Sequence, residues 1–191
     1  FNPVEVVSWY EAIEFCNRLS QSNDLKPCYT INKSIKDPKN KSSYDKVKWK
    51  VIYDFSATGF RLPTEAEYEF SSIGGNFSKG YKYPGSNDFK EVAWLRANSK
   101  NVTHPVGQKK PNELGIFDLC GNVDEWCWDF DSDSYEKRFV INPTGPEFGT
   151  GRMSRGGCIW SGEYSIRQQM HDAKADHKIQ LIGFRVCRSG N

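Results

Sequence analysis

Apolar residues recur at helical spacing in two stretches of this sequence. The first runs from Trp9 to Ser20 and predicts a helix with one buried face. Ser8 precedes it, and Glu11 follows three positions later, which is the arrangement of a capping box. A second helix is predicted to begin after Thr64, with an acidic first turn, and to end at Gly74. The apolar face of the first helix is predicted to consist of Ala12, Ile13, Phe15, Cys16 and Leu19.

Elsewhere the pattern has a two-residue period and predicts strands. From Val47 to Tyr53 apolar residues alternate with Lys48 and Lys50, which is typical of a half-exposed strand. The stretch from Pro3 to Trp9 also fits a short strand. Asn32 to Tyr44 is rich in Lys and Ser with little to bury, so it is predicted to be a solvated loop. Two helices, short strands and strong turns together favour an α+β domain.

The last fifth of the chain has ordered ends and an irregular middle. Arg155-Gly156-Gly157 stands at one end and Ile182 to Arg188 at the other. Between them, Trp160 to Lys178 shows no sustained helical or strand period. Long irregular segments in compact domains are usually functional or disordered, and this one carries aromatic side chains that suit a contact surface. An ordinary surface loop is the alternative interpretation of the same pattern.

Composition narrows the class of protein. The chain has 191 residues, which suits one domain, and its net charge of +2 with scattered basic residues argues against nucleic-acid binding. No apolar run is long enough to span a membrane. The six cysteines form no CxxC pair, so no zinc pattern is present and the disulfide state stays open. Because the chain begins abruptly at Phe1, we expect that an amino-terminal part is missing.

Buried roles are predicted for two arginines and two tryptophans. The planar guanidinium groups of Arg155 and Arg185 suit fork-like hydrogen bonds inside the protein. Trp126 and Trp128 are predicted to belong to the core, because Trp is usually mostly buried.

The order of several motifs resembles one known family. These motifs are Pro3 to Ser20, Gly59 to Phe70, Asn112 to Asp129, Arg155-Gly156-Gly157 and Gly183-Phe184-Arg185. Together they are similar to the formylglycine-generating enzyme (sulfatase-modifying factor) family. The resemblance covers nearly the whole chain. It implies a single α+β domain over 1–191 with the C-type-lectin-like fold of that family and much irregular structure.

The resemblance does not extend to the catalytic residues. The family's enzymes oxidise a substrate cysteine through a copper-binding cysteine pair, spaced C-x4-C, between the RGG and GFR motifs. Here Cys158 is the one cysteine in that interval, whereas soft Cu(I) needs a thiolate pair. We therefore expect no enzyme activity and no required cofactor. The alternative is a formylglycine-generating-type oxidoreductase with an unorthodox site at Cys158 that acts on a protein cysteine.

A non-enzymatic branch of the family fits the sequence better. It comprises the variable proteins of diversity-generating retroelements, in which a retroelement rewrites the last part of the gene. The resemblance implies a variable region over 155–188, an unknown protein or other macromolecule as ligand, and export to the cell surface as a lipoprotein. The polar composition and modest size of the chain favour a monomer. The predicted ligand-binding residues are Cys158, Trp160, Glu163, Tyr164, Gln168, Gln169, Met170, His171, Asp172, Lys174, Asp176, His177 and Lys178.

The resemblance also implies a possible calcium site. Carried over by position, its ligands are the Asp118 and Glu125 side chains and the Gly121 and Val123 carbonyls. Calcium takes six to eight oxygen ligands of this kind. The alternative is that Asp118 and Glu125 cap turns and pair with arginine. A polysaccharide-binding lectin is a weaker third interpretation, since no Glu-Pro-Asn-like sugar motif is present.

Overall fold

The computed structural model describes residues 1–131, 141–163 and 171–189, and at positions 171 and 172 it describes the backbone. The helices are α1 (Trp9–Gln21), α2 (Glu65–Ser72) and α3 (Phe89–Val92). The strands are β1 (Tyr29–Lys36), β2 (Trp49–Tyr53), β3 (Phe60–Arg61), β4 (Asp124–Phe130), β5 (Arg152–Arg155), β6 (His171–Ala173), β7 (Ile182–Phe184) and β8 (Cys187–Arg188). Within the described ranges, no helix has the length and apolar character needed to cross a bilayer.

The strands form three small sheets, which confirms the α+β class. The main sheet has four strands in the order β6-β5-β4-β7. In it β4 pairs antiparallel with β5 and parallel with β7, while β5 pairs antiparallel with β6. Two further pairs, β1 with β2 and β3 with β8, are antiparallel. Both the RGG and the GFR motif therefore lie next to β4. This arrangement brings together the two ends of the segment that separates these motifs.

Helix α1 begins where its cap chemistry predicts. The Ser8 side chain accepts a hydrogen bond from the Glu11 backbone, and the Glu11 side chain accepts one from the Ser8 backbone. Ala12, Ile13 and Cys16 are fully buried, whereas Phe15 stays 40% exposed and contacts the ring of Phe184 instead. The predicted apolar face is thus confirmed for its central residues.

The strand predicted from Pro3 to Trp9 is wrong. Trp9 already belongs to α1, and Val6 has a φ of 59°, which interrupts an extended path. The segment instead runs beside β7, where the Val4 carbonyl oxygen lies 2.2 Å from the position that a Cβ on Gly183 would take. Only glycine therefore fits at that point of the GFR motif.

Aromatic rings build the main core around α1 and β4. Trp9 and Trp126 are fully buried, and their indole nitrogens donate to the Cys127 and Val7 carbonyls at 2.9 and 3.0 Å. Trp128 is half-buried and packs its ring 5.5 Å from that of Trp9. The core roles predicted for Trp126 and Trp128 are confirmed, completely for the first and partly for the second.

Helix α2 begins after Thr64 with a second capping box, as predicted. The Thr64 side chain accepts from the Glu67 backbone, and Glu67 in turn accepts from Thr64. The Glu67 carboxylate also binds both terminal nitrogens of Arg61, at 2.6 and 2.7 Å. Gly74, with a φ of 91°, follows the helix and turns the chain.

The stretch from Asn32 to Tyr44 is mostly exposed, as predicted, but it is not a loop throughout. The first half belongs to β1, which forms a hairpin with β2. In the second half Asn40 and Ser42 are buried, together with the following Asp45. Composition misled here because short polar side chains satisfy one another inside a turn as well as in water.

All six cysteines are free thiols. Cys16, Cys28, Cys120 and Cys127 are buried, while Cys158 and Cys187 are half-buried. Most of these thiols thus act as small apolar groups.

Candidate functional site

The predicted variable segment begins on a fixed backbone turn. Gly156 and Gly157 have φ values of 103° and 73°, a region that favours glycine. The Gly157 backbone donates to the Asp124 side chain at 3.0 Å, and the Gly156 carbonyl accepts from Gly121 at 2.9 Å. The RGG motif is therefore a tight turn that hydrogen bonds hold against the start of β4.

Two other parts of the chain, Asn122 and the stretch from Arg96 to Ser99, hold the residues that follow. The Ile159 backbone donates to the Asn122 carbonyl at 3.1 Å, and its own carbonyl accepts from the Ser99 hydroxyl at 3.3 Å. The Arg96 backbone donates to the Ser161 carbonyl at 3.3 Å. The residues on both sides of Trp160 are thus hydrogen-bonded to the rest of the domain, which we call the frame.

Trp160 is an exposed ring on this fixed backbone. Its neighbours Ile159 and Ser161 are only 2% and 4% exposed, whereas Trp160 is 55% exposed. A large rigid side chain loses little conformational entropy when a ligand covers it, and less still when its backbone is already ordered. Trp160 therefore has the geometry of a binding anchor.

Cys158 is less suited to chemistry than to packing. It is half-buried, and its backbone donates to the Ser161 hydroxyl at 2.9 Å. Burial first, and then the negative charge of Asp124, raise the pKa of the Cys158 thiol. A protonated thiol is neither a good nucleophile nor a good metal ligand.

The carboxyl-terminal part of the segment is anchored in the core, so the prediction of an irregular free middle is wrong there. Strand β6 pairs with β5 at the edge of the main sheet. Ala173 and Ala175 are buried in the same cluster as Trp9, whose backbone donates to the Ala175 carbonyl at 3.0 Å. The prediction failed because the strand is only three residues long, too short to show a period.

The polar residues that follow also contact the frame. The Asp176 carboxylate accepts from the Lys46 backbone at 2.9 Å, and Lys178 pairs with Glu11 at 2.6 Å. The Lys174 amino group lies 5.2 Å from the centre of the Tyr44 ring.

The predicted ligand-binding residues thus fall into three groups. Trp160, His177 and Lys178 are exposed, and Cys158, Glu163, Lys174 and Asp176 are partly exposed. Tyr164, Gln168, Gln169 and Met170 lie outside the described residues, as do the side chains of His171 and Asp172. Their contact roles stay predictions.

The two side chains among the predicted calcium ligands, Asp118 and Glu125, already bind other groups of the protein. Arg185 binds both oxygens of the Glu125 carboxylate, one at 2.7 Å, and also donates to the Asp118 carbonyl at 3.1 Å. The Asp118 side chain accepts from the Gly107 backbone at 2.7 Å. In this geometry the donor set does not fit calcium, because the cation would have to displace Arg185. The calcium site stays a prediction.

The two arginines make the buried contacts predicted from the sequence. Arg185 forms the two-pronged pair with Glu125, and Arg155 pairs with Glu69 and, at 3.6 Å, with Glu65. These pairs tie the RGG and GFR motifs to α2 and β4. They hold the two ends of the segment in place.

Tyr44 is a functional candidate that the hydrophobic pattern of the sequence did not reveal. It is 71% exposed and lies against Lys174 of the predicted surface. The signal was the run Asn40 to Asp45, because Asn, Ser and Asp often bond to nearby backbone and so fix a turn.

Known proteins resemble this chain over about half to nearly all of its length. The family model described as a sulfatase-modifying factor enzyme 1-like domain matches residues 1–190. A protein named chaperone protein LppX, from Paenibacillus barcinonensis, is 45% identical over 206 residues, which covers 98% of this chain and 70% of that protein. The formylglycine-generating enzyme of Thermomonospora curvata is 35% identical over 119 residues, which covers 53% of this chain and 39% of the enzyme.

Among solved structures, Treponema denticola variable protein 1 matches with a TM-score of 0.83 and 37% identity, over 98% of this chain and 72% of that one. The fold and the resemblance predicted from the motifs are thereby confirmed. The chain belongs to the family of proteins with a sulfatase-modifying factor enzyme 1-like domain.

Proposed function

We propose that this protein is a ligand-binding scaffold whose segment 158–178 presents a diversified contact surface. The observation that carries the proposal is Trp160, a 55% exposed ring between two buried residues on a backbone bonded to the frame. Exposed aromatic residues on fixed loops are typical of binding anchors. A ligand could therefore contact Trp160 without disturbing the core.

The comparisons support this proposal. A solved structure that resembles the chain is named a variable protein. In the described part of the segment, exposed and buried positions alternate closely: Trp160, His177 and Lys178 are exposed, while Ala173 and Ala175 are buried. Such a division allows side chains to change on the surface while the frame stays intact.

The ligand that we propose is a polypeptide. A relative that is 45% identical is named a chaperone protein, and chaperones as a class act on polypeptides. We also retain, as proposals, that the protein is a monomer and that it is exported to the cell surface as a lipoprotein.

The second candidate is an oxidoreductase of the formylglycine-generating type. Family membership and the enzyme from Thermomonospora curvata favour it. The interval between the RGG and GFR motifs, however, contains Cys158 alone, and the pKa of that thiol is raised by burial and Asp124. Residues able to hold a redox metal as a thiolate pair are therefore lacking in that interval.

The test is a display library in which four surface positions are randomised and the buried ones kept. The randomised positions are Trp160, Glu163, His177 and Lys178. We expect most members to fold and selection against lysozyme to yield specific binders, because these side chains contribute little to the core.

A matched library controls for exposure alone. It randomises Thr30, Ser34, Lys36 and Ile52, which are exposed positions on the β1–β2 hairpin. If most members of the first library fail to fold, or if binders arise only from the hairpin library, the proposed function is wrong.

A further inference from the structure

The loop between β1 and β2 is ordered by a network of hydrogen bonds. The Asp45 carboxylate, buried within it, accepts from the Tyr10 hydroxyl at 2.9 Å and from the Asn40 amide at 2.6 Å. Its other oxygen accepts from the Val47 and Lys48 backbones at 2.9 and 3.0 Å. A buried, satisfied polar network of this kind fixes a loop in one conformation.

Tyr44 projects from this fixed loop into solvent. Its backbone and that of Asp45 donate to the buried Ser42 hydroxyl at 3.2 and 3.1 Å, yet the Tyr44 side chain is 71% exposed. The exposed ring does not stabilise the core. An exposed ring on an ordered backbone is instead suited to binding a partner, because little backbone conformational entropy is lost when the partner binds.

The loop is joined to the proposed binding segment. The Lys46 backbone donates to the Asp176 side chain at 2.9 Å, and the Lys174 amino group lies 5.2 Å from the Tyr44 ring centre. Tyr44 therefore lies on the same surface as Lys174 and Asp176. Unlike them, it is supplied by a different part of the chain.

Lysines outnumber acidic side chains around Tyr44, although Asp176, which accepts from the Lys46 backbone, is partly exposed. Lys41 and Lys46 are exposed, and Lys174 is partly exposed. The acidic residues of the loop, Asp37 and Asp45, are buried. We call Lys41, Tyr44, Lys46 and Lys174 the basic–aromatic surface.

We propose that the basic–aromatic surface is the fixed half of the contact site and binds an acidic polypeptide that also carries apolar side chains. The proposal rests on the proposed function and adds a partner chemistry to it. Tyrosine is enriched among the residues that carry binding energy, and lysines around it steer an acidic partner. The chain's small net charge of +2 and scattered basic residues favour a polypeptide over a nucleic acid.

The test uses a short fluorescein-labelled peptide in which Glu and Phe alternate, with fluorescence anisotropy as the readout. We expect it to bind the full chain, and added salt to weaken binding. Tyr44→Ala is expected to weaken binding about tenfold, and Lys46→Glu to do so by a similar factor. Both side chains are exposed, so the melting temperature of each variant should stay near that of the wild type.

Matched controls are Phe77→Ala and Lys79→Glu, which change an exposed ring and an exposed lysine outside the basic–aromatic surface. They are expected to leave binding unchanged. A peptide in which Lys and Phe alternate should not bind.

The following binding results would overturn the inference. They are no binding of the Glu–Phe peptide, equal binding of the Lys–Phe peptide or of duplex DNA, and equal losses in the control variants. If Trp160→Ala lowers affinity while Tyr44→Ala and Lys46→Glu do not, the inference fails and the proposed function stands. If the peptide binds as expected but the randomised library gives no folded binders, the proposed function fails instead.

Discussion

At the scale of single residues, exposure and backbone anchoring separate side chains that are accessible to a ligand from those that stabilise the domain. Trp160 is exposed, although both of its neighbours are buried and bonded to other segments. Cys158, two positions earlier, is half-buried and bonded to Ser161. The same short stretch thus contains one side chain suited to binding and one suited to packing.

The protonation state of Cys158 is the residue-scale test of the oxidoreductase alternative. Because burial and Asp124 raise the pKa of this thiol, thiolate forms only above the usual range, and reactivity falls as the pH is lowered. We expect its alkylation by iodoacetamide, followed by peptide mass spectrometry, to keep accelerating past about pH 8.5, the usual thiol pKa.

Glutathione in the same reaction provides the unperturbed reference, and Cys158→Ser removes the signal of interest while leaving the other thiols. A rate that levels off near neutral pH would show a stable thiolate at Cys158. That outcome would favour the oxidoreductase over the binding scaffold.

At the scale of elements, local chemistry was predictable and long-range pairing was not. The starts of α1 and α2, with Ser8 and Thr64 as N-caps, were predictable because a capping box involves only four consecutive residues. Strand β6 depends on β5, and Asp176 depends on the Lys46 backbone, 130 positions away. No pattern within either stretch reveals these partners. The ends of the candidate site were therefore predicted, whereas its anchored carboxyl-terminal part was not.

That anchoring predicts unequal effects of enlarging two nearby residues. Ala175 is 3% exposed and packs in the main core, so Ala175→Leu should lower the free energy of unfolding by about 1–3 kcal/mol through overpacking. The matched change Lys178→Leu alters an exposed side chain and should shift it by less than about 1 kcal/mol, since it loses only a surface ion pair with Glu11. Urea unfolding measures both. Equal, small effects would mean that 171–178 is a free loop after all.

At the scale of the whole molecule, the two family motifs that frame the segment converge on β4. Asp124 binds the RGG turn, and Glu125 binds Arg185 of the GFR motif. Tyr44 and Lys46 then approach the segment from the β1–β2 loop. The molecule is thus organised as an aromatic core with one surface assembled from two distant parts of the chain.

The most direct test of a diversified surface is to sequence the DNA that flanks the gene. We predict a second, near-identical copy of the segment that encodes Arg155 to Arg188, with adenines wherever the two copies differ and a reverse transcriptase gene nearby. The differing codons should include those of exposed residues such as Trp160 and His177, and should spare those of the buried Ala173 and Ala175. The absence of a copy, or differences concentrated at the buried codons, would contradict the account and leave 158–178 as a fixed segment.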